Sequence, residues 1–208
     1  MRRERLATAS LYLVLDLRAE TEGTVRAALE GGVDIVQLRD KEAPDEELVL
    51  AGLRLGALCR EHEALFVLND RPDLTVACNA DGVHVGQEDV SVEAARADVG
   101  ADRLVGLSTH SREQLESARD VDYVSVGPVW ETPTKEGRPA VGLELVRFAA
   151  ETAPMPFFAI GGIDDSNVAQ VVAAGARRVA VVRAIRDAED PAAAARALRA
   201  ELDAVPLE

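Results

Sequence analysis

Charged and polar side chains in this chain gather where short apolar runs end. The run 34–38 leads through Gln37 and Leu38 into Arg39, Asp40 and Lys41, and the run 65–68 leads into Asn69 and Asp70. The run 82–85 is followed by Gly86, Gln87, Glu88 and Asp89, and the run 104–108 ends on Ser108. The run 123–126 opens into a long segment, 127–140, that carries Thr132, Pro133, Thr134 and Lys135. The last two runs end at Gly161-Gly162 and at Val182-Arg183. Arg39, Lys41 and Lys135 supply positive charge, and a guanidinium can hold phosphate oxygens in a bidentate fork. Asp70 and Asp89 are hard oxygen donors of the kind that hold Mg²⁺ while the ion keeps waters and bridges to a diphosphate. Two carboxylates beside two or three cations is the balance expected for a metal diphosphate. Gly161-Gly162, just before a helical stretch, would let backbone N–H groups approach a second phosphate.

Each of these residues also has a plainer reading. Lys41-Glu42 could be a solvated helix start, Asp70-Arg71 a surface ion pair of little energetic worth, and Asp89 the acid that opens a helix at Ser91. Thr132 and Thr134 could order a turn around Pro133. His84 reads as an interior histidine, and Trp130 as a packing anchor for its segment. Joint placement favours the chemical reading, because each residue falls at the same end of an apolar run.

The elements that would position them follow from periodicity. Strands are expected at 11–16, 34–38, 65–68, 82–85, 104–108, 123–126, 157–160 and 178–182, with helices near 22–31, 45–62, 72–79, 91–99, 111–119, 142–152, 165–174 and 190–203. Thr21, Asp45, Ser91 and Ser111 precede acidic first turns, and Gly31-Gly32 and Gly175 mark helix exits. The strands are continuously apolar, which suits a sheet covered on both faces. Eight such units in 208 residues predict an α/β fold, a single (β/α)₈ TIM barrel over 1–208, with an open doubly wound sheet as the alternative. The active site of a barrel forms at the C-terminal ends of its strands, where the residues above fall.

Composition narrows the partners. The net charge of −14 argues against a nucleic acid or an anionic membrane surface, so phosphate substrates would require locally concentrated basic side chains. Cys59 and Cys78 lack metal-ligand spacing and read as buried thiols of a reducing cytoplasm. The apolar run after the basic start ends at Asp16, too short for a signal peptide or a membrane span. A cytoplasmic enzyme is expected. At this length no fused second activity is expected, and self-association through outer helices is compatible with the pattern.

From Tyr12 to Leu202 the chain resembles the thiamine phosphate synthase family. The matching stretches are Val36-Gln37-Leu38-Arg39-Asp40-Lys41, Leu68-Asn69-Asp70-Arg71, Gly82-Val83-His84-Val85-Gly86-Gln87-Glu88-Asp89, Val105-Gly106-Leu107-Ser108, the run from Gly127 to Lys135, and Ala159-Ile160-Gly161-Gly162-Ile163. The resemblance implies a (β/α)₈ barrel of thiamine biosynthesis that joins an aminopyrimidine diphosphate to a thiazole phosphate, with Mg²⁺ as cofactor and pyrophosphate released. Gln37, Leu38, Arg39, Asp40, Lys41, Asn69, Ser108 and Lys135 would bind the pyrimidine diphosphate, with Arg39, Lys41, Lys135 and Ser108 catalytic. Asp70 and Asp89 would hold the metal. Thr132, Pro133, Thr134, Gly162, Val182 and Arg183 would surround the thiazole phosphate.

The implied reaction is a dissociative substitution that needs no protein nucleophile, and a carboxylated thiazole would lose CO₂ on becoming aromatic. The segment 127–140 reads as a lid that excludes water. Two departures stand out: Arg183 where the family usually has Ser, and Trp130 where it more often has Phe. Two other functions compete. A thiazole tautomerase on the same barrel would not need Lys41, Asp70 and Asp89 together. A non-catalytic sensor of a phosphorylated ligand would be expected to lose part of the charged set.

Overall fold

The computed structural model describes residues 1–132 and 139–204. Eight parallel strands close on one another in chain order, and the last pairs with the first: β1 (Leu11–Leu15), β2 (Ile35–Leu38), β3 (Leu65–Asn69), β4 (Gly82–Val85), β5 (Leu104–Thr109), β6 (Tyr123–Val126), β7 (Phe157–Ile160) and β8 (Val179–Val181). Closure runs through the register Leu11↔Val179, Tyr12↔Ala180 and Leu13↔Val181. This is the expected barrel, and the open sheet is excluded.

Period-two alternation explains why the strands are apolar throughout. Leu11, Leu13 and Leu15 point outward into the shell packed by the helices, whereas Tyr12 and Val14 point inward. The inner cluster also holds Ile35, Leu65, Val67, Leu104, Tyr123, Phe158 and Ala180. Tyr12 and Tyr123 pack edge-on against Phe158, with centroids 5.3 and 5.7 Å apart.

The outer helices are α2 (Thr21–Glu30), α3 (Asp45–Glu61), α4 (Val92–Val99), α5 (Arg112–Ser117), α6 (Gly142–Thr152), α7 (Val168–Ala173), α8 (Arg183–Arg186) and α9 (Pro191–Asp203). Ser91 and Ser111 cap α4 and α5 as expected, their hydroxyls accepting from Ala94 N and Gln114 N. Asp190 caps α9 in the same way. Thr21 and Asp45 instead lie one residue inside their helices; the Thr21 hydroxyl accepts from Arg18 N, and Asp45 pairs with Arg71.

Three elements differ from expectation. The helix expected at 72–79 is a single 3₁₀ turn, Pro72–Leu74. Its continuation folds inward, placing Cys78 where a Cβ on Gly52 of α3 would stand 2.8 Å from it. A short helix α1 (Arg2–Thr8) precedes β1 and lays Leu6 against the inner cluster, closing the bottom of the barrel. The short α8 follows β8 directly. Cys59 and Cys78 are buried free thiols, and burial pushes them up to about 12 and about 11.

Candidate functional site

At the C-terminal mouth of the barrel, Lys41 reaches across from the β2 exit to two carboxylates. Its Nζ lies 3.0 Å from Asp70 Oδ2 and 3.5 Å from Asp89 Oδ1. Asp70 stands just past β3, where its N–H donates to His84 O at 2.9 Å and extends the β3–β4 ladder by one bond. It then turns with φ +57°, a conformation that Asp tolerates better than most residues. Asp89 is held by its own loop, with Gly86 N–H donating to Oδ2 at 3.1 Å. Burial raises the Asp70 carboxyl above its ordinary value, and the charge of Asp89 adds to this against the opposing pull of Lys41. Lys41 is in turn held more firmly protonated, chiefly by its hydrogen bond to Asp70. Arg39, half-buried, follows β2 on the same wall; among the described residues no carboxylate lies within ion-pair reach of it. The cluster therefore combines an anion-seeking guanidinium with a carboxylate pair that is short of positive charge.

Below it, a cavity of ≈ 80 Å³ runs into the barrel, walled by Gln37, Asn69, His84, Ser108 and Ser125 together with Tyr12 and Val14. The sequence places polar residues at inward positions of β2, β4, β5 and β6, just above the apolar floor. Gln37, His84, Ser108 and Ser125 are all buried. Gln87 fastens the β4 exit to β5, donating from Nε2 to Ser108 O at 2.6 Å.

A second cavity, ≈ 280 Å³, adjoins the first along Ile160, Ala180 and Val182. It is lined by His110, Gly127, Pro128, Thr132, Gly161 to Asp164 and Val181 to Ala184. Gly161 and Gly162 have φ of +104° and +67°. They also yield space to the segment after β6: a Cβ on Gly161 would stand 2.5 Å from Pro128, and one on Gly162 would stand 2.8 Å from the Trp130 Cβ. Trp130 is partly buried and packs against the outer core. His110 donates from Nδ1 to Gly127 O at 2.5 Å, and Asn167 ties the β7 exit down by donating to Gly162 O at 2.8 Å.

The strand ends thus bring Gln37, Arg39, Lys41, Asn69, Asp70, Asp89 and Ser108 to one cavity and Thr132, Gly162, Val182 and Arg183 to the next. Every one of them sits at the end of the barrel where the chemistry was expected. The matches to known proteins run through the same frame. The family described as "Thiamine monophosphate synthase" matches residues 11–185, from β1 into α8. This chain belongs to that family.

Among relatives of the thiamine monophosphate synthase family, a thiamine-phosphate synthase of Saccharopolyspora erythraea is 53% identical over 213 residues, 96% of this chain and 96% of the relative. A thiamine-phosphate synthase of Gloeobacter violaceus is 52% identical over 191 residues, 91% of this chain but 56% of the relative. The chain therefore spans little more than half the length of that longer protein. The thiamine phosphate pyrophosphorylase of Pyrococcus furiosus superimposes with a TM-score of 0.89 at 36% identity, covering 96% of this chain and 98% of that one.

Within this family frame, two expected substrate residues also have contacts within the fold. The Asp40 carboxylate accepts from Leu17 N at 3.2 Å and from Glu42 N and Ala43 N at 3.0 Å, so it shapes the β2 exit. The Leu38 side chain is fully buried in the outer shell, which leaves only its backbone on the site side. Pro133, Thr134 and Lys135, with the lid role proposed for 127–140, lie partly or wholly outside the described residues. Tyr12, Tyr123 behind it, Ser125 and His110 were not among the expected residues; all but Tyr123 line one of the two cavities. Polar side chains at inward strand positions were the available signal for the first three, and a histidine two residues past Ser108 was the signal for the last.

Proposed function

We propose that this chain catalyses thiamine phosphate synthesis, condensing an aminopyrimidine methyl diphosphate with a thiazole phosphate or its carboxylated form. The observation that carries the reading is Lys41 held against Asp70 and Asp89, beside Arg39, at the mouth of a polar-walled cavity that adjoins a second one. The family membership and the relatives that match along their whole length support the same activity.

Asp70 and Asp89 fit a Mg²⁺ ion. They are hard oxygen donors converging on one positive group, and this ion commonly takes one or two carboxylates and leaves its other positions to water and substrate phosphate. Among the described residues no group of three or more His, Cys, Asp or Glu could hold a metal ion, so substrate oxygens would complete the shell. When bound, the ion neutralises charge on the diphosphate.

In this reading Arg39 and Lys41, with Lys135, stabilise the negative charge that grows on the diphosphate as the bond between methylene carbon and oxygen breaks. The amino group of the pyrimidine feeds electrons to the resulting cation. The thiazole nitrogen, held in the second cavity, then forms the new bond to that carbon. Gln37, Asn69 and Ser108 grip the pyrimidine, while Thr132, Gly162, Val182 and Arg183 surround the thiazole phosphate, with the exposed Arg183 adding charge where the family usually has Ser. Pyrophosphate and thiamine phosphate are the products, and any carboxylate on the thiazole leaves as CO₂.

We place the enzyme in the cytoplasm with small-molecule substrates only. The free buried thiols and the net charge of −14 support that reading. The test is pyrophosphate release with both substrates and Mg²⁺, comparing wild type with Asp70→Ala. Metal-dependent release with thiamine phosphate formed, slowed at least about a hundredfold in the variant, is the expected result. No product from wild type, with isomerisation of the thiazole phosphate instead, would transfer the chain to the tautomerases.

A further inference from the structure

Between the two substrate-gripping residues at opposite walls of the inner cavity runs an unbroken chain of buried hydrogen bonds. Gln37 Nε2 lies 2.6 Å from Tyr12 Oη, and Tyr12 Oη lies 2.9 Å from Tyr123 Oη. Tyr123 Oη lies 3.2 Å from His84 Nδ1, and His84 Nε2 lies 3.0 Å from Ser108 Oγ and 3.4 Å from Ser125 Oγ. Glycine at 106 opens the slot in which the middle bond forms. A Cβ there would stand 2.5 Å from both His84 Nδ1 and Tyr123 Oη.

Proton counting gives this chain a direction. An amide nitrogen only donates, so Tyr12 Oη accepts from Gln37 and must place its single proton on Tyr123. Tyr123 then donates to His84 Nδ1, which puts the imidazole proton on Nε2, and Nε2–H donates to Ser108 Oγ. Both phenols keep their protons, because burial raises them far above the ordinary value. With its nitrogen committed to Tyr12, Gln37 offers its oxygen to the cavity as an acceptor. With its oxygen accepting from His84, Ser108 directs its own O–H away from the imidazole as a donor.

We infer that Tyr12, Tyr123 and His84 are positioning residues that lock the hydrogen-bond polarity of Gln37, and so select an aminopyrimidine edge over its oxo counterpart. This rests on the synthase reading above. An aminopyrimidine presents an N–H donor on its exocyclic nitrogen and an acceptor on the adjacent ring nitrogen, matching the Gln37 oxygen and the Ser108 hydroxyl. A 4-oxo pyrimidine presents the reverse pair. Ser108 could meet that edge alone through its second lone pair, but offering it a donor at Gln37 would require the amide to turn over and the protons from Tyr12 to His84 to reverse together in a buried site.

The experiment compares binding of 4-amino- and 4-oxo-5-(phosphooxymethyl)pyrimidine by calorimetry, in wild type and in Tyr123→Phe, which removes the middle link while keeping the ring. Wild type should prefer the amino compound by at least about tenfold, and Tyr123→Phe should reduce the preference to within about threefold, as expected when a polar pair loses its fixed partners. KM for the thiazole phosphate should stay within about twofold, since that substrate lies in the adjoining cavity. A variant that merely loosened the barrel would weaken both pyrimidines alike and leave their ratio intact, which would overturn the inference. Tyr12→Phe cuts the same chain at the Gln37 end and provides the reading if Tyr123→Phe does not fold. A wild-type preference below about threefold also overturns the inference. Failure of wild type to form thiamine phosphate sinks the synthase reading instead, so the two failures are separable.

Discussion

The two rims of the barrel use the same residue types to opposite ends. At the N-terminal rim, an aspartate stands just before each of β2, β4 and β6. Asp34 accepts from Ser10 N at 2.8 Å and Leu11 N at 2.9 Å, Asp81 from Phe66 N at 3.0 Å, and Asp122 from Val105 N at 2.8 Å. In each case the amide belongs to the preceding strand or the residue next to it, so the acid fastens one strand start to the next. Each is also matched by arginine: Asp34 with Arg199, Asp81 with Arg2, and Asp122 with Arg3 and Arg96. Before β8 the sign is reversed, and Arg178 donates to the carbonyls of Ala7 and Ala9 at the end of α1. At the C-terminal rim, Asp70 and Asp89 share one lysine, and Arg39 has no acidic partner among the described residues. Charges at the first rim are matched and tied to the backbone. At the second, the group around Lys41 is left unbalanced, while Asp16, Arg18, Arg186 and Asp187 on the same rim pair with one another.

The largest stability effect should come from the closed rim. Asp122→Ala leaves Val105 N–H without its acceptor and Arg96 without its carboxylate, though Arg96 keeps the carbonyls of Gly100, Arg103 and Asp120, and the Asp122 side chain is only 8% exposed. We expect a loss of about 3 kcal/mol in urea unfolding, with kcat and KM within about twofold of wild type. A large change in KM would break the separation between the rims.

The open rim should behave in the opposite sense. Because the folded protein holds the Asp70 carboxyl above its ordinary value, its ionised form is disfavoured by folding. That cost is absent below the ordinary carboxylate range and appears as pH rises through the raised value. Asp70→Asn should therefore raise Tm at neutral pH without divalent metal, by about 2 °C, while lowering turnover. The gain should vanish in acid; a scan of Tm against pH that showed it persisting there would contradict the argument.

The smallest effect sharpens the first. Arg3 pairs with Asp122 at 2.7 Å but is 54% exposed. Arg3→Ala should cost less than about 0.5 kcal/mol in the same unfolding assay, because solvent screens exposed pairs. A cost rivalling that of Asp122→Ala would mean that α1, and not the strand-start bond, carries the stability of this rim.

Most of what places the site could be read from residue order. The eight runs and their polar ends appear as strands and strand exits because continuous apolar runs demand a sheet covered on both sides, and a parallel barrel puts every exit on one rim. Arg39, Lys41, Asp70 and Asp89 were legible for that reason. Where local signals were weak, the reading failed. The stretch 72–79 opens with a 3₁₀ turn instead of a helix, and Cys78 packs beside Gly52, a contact between residues far apart in sequence.

The sequence by itself determined which side chains share a face of each strand, since alternation is a local property. Tertiary structure alone decided which of them meet. Asp40 turned out to bind loop amides, and the basic start of the chain became a helix pinned across the bottom of the barrel. Gln37 and Ser108 became the two ends of one proton chain through Tyr12, Tyr123 and His84. Inside the barrel, hydrogen bonds join residues as far apart in sequence as Tyr12 and Tyr123, 111 positions, and only closure of the sheet sets their distances.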